Sequence, residues 1–241
     1  MRISLSVVIP TWCEAAEITD AVRAARAIAD EVIVVDAESP DGTAGLARSA
    51  GARVIEAPKG RGTQLDRGAR IAAGNVLLFL HADARLLPEA REAIEEALAD
   101  PDIQGGCFRV RYEPETFFAQ LFSWANHVRT RWLRLYYGDS AVFVRRETYV
   151  ALGGFRSLPI FEDYDFVRRL ERAARTTYVR HVIVRASARR FGAAPLRTLM
   201  IWILLQILYS MGVSAQTLAL LYRDARPQLL KLPGRSRLHI H

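Results

Sequence analysis

The sequence predicts an α/β fold: a mostly parallel sheet with helices on both faces, followed by an apolar helical appendage. Three observations predict it. Short apolar runs alternate with segments of helical periodicity through the first part of the chain. One run, Val76–Leu80, is uninterrupted and lies between Gly74-Asn75 and the polar triplet His81-Ala82-Asp83, as a strand buried on both faces would. Polar residues close three of the runs, and open α/β sheets bind their ligands beyond the carboxyl ends of the strands.

Taken in order, Ile3–Ile9 is a β-rich run ended by Pro10. Glu14–Ala29 carries Ile18, Val22, Ala25 and Ile28 on one helical face. Glu31–Asp36 is a second strand, Ser39-Pro40-Asp41-Gly42 a turn, and Thr43–Ala50 a short helix stopped by Gly51. Arg53–Ile55 is a third strand, Gly60–Ala73 a glycine-rich loop and helix, and Val76–Leu80 the fourth strand. A helix follows over Pro88–Ala99. After that the alternation breaks down. Gly105–Tyr112 and Ala141–Val144 read as strands, Glu115–Tyr136 as a long aromatic-rich helix, Glu162–Ala174 as a helix, and Thr176–Ala186 as one or two strands.

Pro195–Tyr222 is apolar and helical, with no charge between Arg197 and Arg223. A spanning helix needs roughly 20 apolar residues, and Gly212 and Ser214 interrupt this run. The expectation is a helical hairpin that packs on the domain, lies in a membrane interface, or pairs with a second copy of the chain. Residues 224–241 read as a loose tail.

Composition narrows the partners. The chain has 241 residues and a formal net charge of +7. Almost all of the positive charge is Arg, Lys59 and Lys231 being the only lysines. A basic balance suits nucleic acid, an anionic membrane surface or phosphorylated substrates. The arginines are scattered and no nucleic-acid motif appears, which favours phosphate and membrane over nucleic acid. Cys13 and Cys107 give neither a disulfide framework nor a zinc spacing, which suits a reducing compartment. MRISLSVVIP enters a strand directly without a signal-peptide pattern. A cytoplasmic protein is expected, with the inner face of the cell membrane as the alternative.

The polar strand ends are the candidate chemistry. The first strand closes on Thr11 with Glu14 a turn further on, the second on Asp36, the fourth on His81 and Asp83. Asp83 stands where a metal or phosphate site would be built, or else it caps the turn before the next helix. Neither a Gly-x-Gly-x-x-Gly after the first strand nor a P-loop is present. Lys59-Gly60-Arg61-Gly62 offers a flexible cationic loop suited to a diphosphate, or a solvated loop. Glu162, Asp163 and Asp165 cluster at a helix start, where the dipole favours negative charge, or pair with Arg168 and Arg169. Arg189 and Arg190 follow the last strand, and Arg clamps phosphate bidentately.

The ordered set SVVIPTWCEAAEI, VIVVDAESPDGT, APKGRGTQLDRGARIAAGNVLLFLHADARLLP, GDSAVFVRRETYVALGGF, FEDYDFVRRL and ARRFG resembles the family 2 glycosyltransferases, which have a GT-A fold. The wording HADARLLP, GGF and FEDYD is most similar to the small bacterial subgroup named for arsenosugar biosynthesis. The resemblance implies a single Rossmann-like domain over residues 1–192, with a nucleotide-sugar-binding half (1–100) and an acceptor and catalytic half (101–192), then apolar helices over 193–223. It also implies an inverting transfer from a nucleoside-diphosphate sugar, UDP first among candidates, to an unknown acceptor that is small or lipid-linked. Thr11 and Glu14 would contact the nucleotide, Asp36 the nucleobase or ribose edge, and Arg61 and Arg190 the diphosphate. Asp83 would hold Mg²⁺ or Mn²⁺, and Asp163 would be the catalytic base, with Glu162 beside it. His81 takes the first acidic position of the family's Asp-x-Asp, where it is structural, bonds the ribose or joins the metal. Cys13 and Asp66 each stand where Asn is common. Asp66 brings a negative charge towards the phosphate loop unless Arg67 or Arg70 offsets it. Two other functions compete: a sugar-phosphate nucleotidyltransferase, and a non-catalytic membrane-associated binding protein on a transferase scaffold.

Overall fold

The computed structural model describes residues 3–188 and 195–230, with 223–230 described by their backbone. The chain divides into two compact units, Met1–Ser187 and Ala188–His241. In the first unit the strands are β1 (Leu5–Thr11), β2 (Glu31–Asp36), β3 (Arg53–Glu56), β4 (Val76–Phe79), β5 (Ala84–Arg85), β6 (Ile103–Glu113), β7 (Val142–Arg145) and β8 (Arg175–Ser187). Its helices are α1 (Ile18–Arg26), α2 (Thr43–Ser49), α3 (Arg61–Ile71), α4 (Ala90–Ala97), α5 (Phe117–Leu133), α6 (Arg146–Ala151) and α7 (Glu162–Ala173).

One sheet runs in the order β3-β2-β1-β4-β7-β6-β8-β5. β3, β2, β1 and β4 are mutually parallel, as the βα alternation requires. β7 then enters antiparallel between β4 and β6, β8 runs parallel to β6, and β5 closes the edge antiparallel to β8. The sheet is therefore mixed beyond β4. Thr176–Ala186 lies within one continuous strand, β8, which pairs with β6 through a bulge. Phe108 faces Val179 while the next residue, Arg109, faces Ile183, so Arg180–Val182 loop out of the ladder.

The first strand does not stop at Pro10. It continues to Thr11 because β4 accompanies β1 only as far as Val8, opposite Phe79, so the missing proline N–H falls beyond that ladder. Several helices are shorter at their ends than their periodicity suggests. α1 begins at Ile18 because residues 14–17 form a turn, with Glu17 N–H and Ile18 N–H both donating to the Glu14 carbonyl.

α3 lies close against the sheet because of Gly68. A Cβ there would sit 2.4 Å from Val8 Cγ1 and 2.9 Å from Val35 Cγ2. On the same face Phe79, Phe155, Phe166 and Tyr149 form an aromatic cluster, with Phe79 edge-on to Phe155 at 4.8 Å and Phe155 4.6 Å from Phe166. Such pairs contribute about 0.5–1.5 kcal/mol each beyond burial. This cluster fixes the start of α7 beside the end of β4.

The second unit contains α8 (Pro195–Ser210) and α9 (Ala215–Leu230). They are separated at Gly212, whose φ of 95° needs glycine, and Ser214 Oγ accepts from Thr217 N–H at 3.1 Å to start α9. Met200, Ile203, Ile207 and Met211 recur at helical spacing and are exposed. Among the described residues no helix is long and apolar enough to cross a membrane.

Candidate active site

Beyond the carboxyl ends of β1 and β2 two loops are stitched together. Cys13 N–H donates to Ser39 Oγ at 2.9 Å, Glu14 N–H to Thr43 Oγ1 at 3.0 Å, and Ala15 N–H to Asp41 Oδ2 at 3.1 Å. Asp41 in turn accepts from the Thr43 hydroxyl at 2.5 Å, and that bond, ahead of its backbone contacts, holds its carboxyl below the usual range. Cys13 adopts φ of 56°, in the left-handed region that Asn tolerates best among ordinary residues. That is the physical reason for Asn being common there. Trp12 stands half-exposed at the loop tip with the Lys59 ammonium 2.8 Å from its ring centroid.

Thr11 and Asp36 are buried beneath these loops. The Thr11 hydroxyl donates to Asp36 Oδ1 at 2.8 Å, and Ser39 donates its hydroxyl to Oδ1 and its N–H to Oδ2, each at 2.7 Å. A carboxylate has about four acceptor positions, so Asp36 retains one on Oδ2. Gln64 from α3 clamps both strand ends, its Nε2 donating to the carbonyls of Thr11 and Val35 at 2.8 Å each.

Asp83 is buried in the loop between β4 and β5. Its carbonyl accepts from Ser187 N–H at 3.1 Å. Arg85 fastens the loop from the other side, bonding the Ala82 carbonyl at 2.8 Å and the Glu17 carboxylate at 2.8 Å. α4 starts at Ala90, well past Asp83, with no side-chain cap from Glu89, so Asp83 does not cap that helix.

The three carboxylates of FEDYD diverge to three tasks. Asp165 pairs with Arg169 at 2.8 Å and Arg156 at 3.0 Å, while Arg168 instead lies over the Tyr164 ring. Glu162, 3% exposed at its side chain, pairs with Arg61 at 3.0 Å. Asp163 is half-buried and accepts two backbone N–H groups, from Gly138 at 2.9 Å and from Tyr164 at 2.7 Å. Gly138 opens a short 3₁₀ turn, Gly138–Ser140, and touches both His81 and Asp163. A Cβ there would lie 2.5 Å from His81 Nε2 and 3.4 Å from Asp163 Oδ2. The neighbouring Tyr137 has its hydroxyl pushed up to about 12, chiefly by burial, with Arg129 opposing and Asp163 adding to the rise. The Tyr112 hydroxyl donates to Asp139 Oδ2 in a short bond.

Arg61 opens α3 amid this charge. Partial desolvation of its 44%-exposed side chain would lower its proton affinity, but Glu162, Asp163, Asp83 and Asp139 outweigh that and raise it. One basic group is thus acted on by four carboxylates from three stretches of sequence. Asp66 does not load the phosphate loop. It pairs with Arg70 at 2.6 Å and accepts the Tyr149 hydroxyl at 3.1 Å, whereas Arg67 bonds the Glu56 carbonyl. Arg190 lies outside the described residues.

Among the described residues no three His, Cys, Asp or Glu side chains group to hold a metal ion. A hard divalent cation commonly takes one or two carboxylates and completes its shell with substrate phosphate and water. Asp83, a buried carboxylate just beyond the end of β4, would supply the one protein carboxylate that a cation arriving with a diphosphate needs.

Sequence reasoning set Thr11, Asp36 and Asp83 at strand ends along one sheet edge, Arg61 in a cationic loop and Asp163 at a helix start. It missed Gln64, Gly138, Asp139 and the Ser39–Asp41–Thr43 stitch. The turn SPDGT was legible as a turn, and its three polar side chains were the available signal.

A mixed sheet of this order, with a charged cluster beyond the ends of β1, β2 and β4, is the GT-A architecture. The chain belongs to glycosyl transferase family 2, whose signature matches residues 6–159. An uncharacterised glycosyltransferase of Rickettsia bellii is 40% identical over 96 residues, covering 39% of this chain and 33% of that relative. The match thus spans about a third of that relative's length. Glucosyl-3-phosphoglycerate synthase of Mycobacterium tuberculosis, solved with Mn²⁺, UDP and phosphoglyceric acid, superposes with a TM-score of 0.54 at 19% identity, over 88% of this chain and 79% of that one. S. aureus TarS in complex with UDP-GlcNAc gives 0.58 at 17% identity, over 85% and 66%. At these identities the likeness is one of fold.

Proposed function

We propose that this chain transfers a sugar from a nucleoside-diphosphate sugar, with UDP as the nucleotide, to an acceptor hydroxyl with inversion. The observation that carries the reading is Asp163. It is a half-buried carboxylate fixed by two backbone N–H groups, beside His81 and in the same charge cluster as Asp83. UDP and Mn²⁺ in the M. tuberculosis synthase, and UDP-GlcNAc in TarS, support the choice of donor.

In such a transfer the acceptor oxygen bonds the anomeric carbon, the bond to the diphosphate breaks, and the hydroxyl proton goes to a base. Asp163 is that base, with its carboxylate already oriented. Arg61 exchanges its contact with Glu162 for the leaving diphosphate, and Arg190 is the second cation there. Asp36 offers its remaining acceptor position to the nucleobase or ribose, while Thr11 and the Glu14 loop shape the wall around it. His81 packs against Gly138 and fixes the floor between Asp83 and Asp163. Asp83 would hold Mg²⁺ or Mn²⁺, which supplies charge neutralisation at the departing diphosphate.

Thermal shift with UDP, with and without Mg²⁺ or Mn²⁺, tests the donor half. Metal-dependent stabilisation is expected, and Asp83→Asn is expected to remove the metal-dependent part. Asp163→Asn is expected to keep donor binding and lose transfer by about 10²–10⁴-fold, the usual share of a general base. Normal turnover by that variant would remove Asp163 from the role. Absence of nucleotide binding in folded protein would overturn the whole reading.

A further inference from the structure

Away from the strand ends a second polar groove is built from α5, α7 and β8. Its volume is about 240 Å³, and its wall includes Arg131, Arg134, Glu171, Tyr178 and Arg180. Glu171 lies eight residues beyond Asp163 on α7, about 12 Å along the helix axis. The groove is therefore separate from the site described above.

Its charge balance is one-sided. Glu171 is the single carboxylate in that wall among the described residues. It is already engaged by Arg134 Nε at 2.7 Å, by the Tyr136 hydroxyl at 2.7 Å and by the Thr176 hydroxyl in a short bond. Arg131 and Arg180 have no carboxylate within ion-pair distance among the described residues, and both are exposed. After Arg134 and Glu171 cancel, the wall carries two guanidinium groups with no ion-pair partner among the described residues, Arg131 lying 5.6 Å from the Trp132 ring centroid. Arg109 stands near them on β6. The His127 imidazole, bonded to the Tyr178 hydroxyl at 2.9 Å, is held below its usual proton affinity by burial first and then by Arg109, Arg131 and Arg180. Arg180 belongs to the bulge of β8, and bulges re-aim side chains.

We infer that this groove is an anion site that seats a ligand's phosphate group between Arg131 and Arg180. The magnitude of charge selects phosphate over carboxylate. A phosphate monoester carries about −1.5 to −2 at neutral pH and matches two arginines, whereas one carboxylate leaves a cation unpaired. The volume is below the roughly 300–1,000 Å³ of pockets that enclose a drug-sized ligand, so the groove takes a small anion or the anionic end of a larger molecule. A soluble phosphate ester and a lipid headgroup share that chemistry.

The test uses full-length protein saturated with UDP and Mg²⁺, so that the donor site does not compete. Inorganic phosphate is titrated calorimetrically, and phosphatidylcholine vesicles with and without phosphatidic acid are tested by co-sedimentation. Binding of at least one probe is expected, weakened tenfold or more in the Arg131→Gln/Arg180→Gln double variant. Arg180→Gln alone, a change at an exposed side chain, gives a partial loss if the double variant folds poorly. Phosphate binding assigns a soluble ligand, and binding to phosphatidic acid vesicles alone assigns a headgroup. Unchanged binding in the variants, or no binding of either probe by the parent protein, overturns the inference. Stabilisation by UDP is read in parallel. Its loss in the parent protein would count against the transferase reading and leave the groove standing on its own result.

Discussion

Gly138 is the position where one methyl group would separate folding from chemistry. In Gly138→Ala the new Cβ would lie 2.5 Å from His81 Nε2 and 3.2 Å from His81 Cε1. Ordinary contact begins about 0.5–0.9 Å further out, so the imidazole, the 3₁₀ turn or both must shift by that amount. The turn's own N–H orients Asp163 at 2.9 Å, so movement of the turn is passed directly to the carboxylate. Overpacking of this kind costs about 1–3 kcal/mol of stability. A reacting group misplaced by about 1 Å loses on the order of 10²-fold in rate. Binding of the nucleotide part of the donor should survive, because Asp36 and the stitched loops are untouched. The assay is UDP release from a panel of UDP-sugars, paired with the thermal shift by UDP. A variant with wild-type turnover and an unchanged melting temperature would refute the claim that Gly138 sets the distance between His81 and Asp163.

Two further outcomes are expected. Gln64→Leu removes both amide contacts to the carbonyls of Thr11 and Val35 and should cost about 1–3 kcal/mol in urea unfolding, with weaker UDP binding because the clamp on both strand ends is lost. His127 is held below its usual proton affinity in the fold, so its contribution to stability is present above the unfolded value near 6.5 and is lost as pH falls towards the folded value. His127→Gln should therefore flatten the melting temperature between about pH 7 and 5, and an unchanged slope would contradict that placement.

The parallel half of the fold was legible because local pattern and global role coincide there. Val76–Leu80 has only one environment that suits five apolar residues in a row, and Asp83 follows it by chain geometry alone. The antiparallel half was not legible in the same way. β5 is two residues long and exists only because β8 passes beside it. The bulge of β8 is set by its neighbour β6 and leaves no periodic trace in Thr176–Ala186. In the site, acidic side chains at strand and helix starts announced themselves. Gly138 and Gln64 did not, because a backbone donor and a buried amide act through contacts 25 or more residues away in sequence. Arg61 showed its charge but not its company, since the four carboxylates around it come from three separate stretches: the loop after β4, the 3₁₀ turn at Gly138–Ser140 and the start of α7.

The stitch between the first two loops separates shape from surface. Ser39, Asp41 and Thr43 hold only main-chain N–H groups of residues 13–15, so the path of that loop is written in a different segment. A chimera that exchanges side chains at positions 12, 14 and 15 would inherit the same loop path and change only what it displays, while position 13, with φ of 56°, needs a residue that accepts the left-handed region. Exchange of 39–43 would leave the display intact and erase the path. Donor preference in such a scaffold can drift through one segment while the other is held fixed, and a library aimed at new donors belongs in the first.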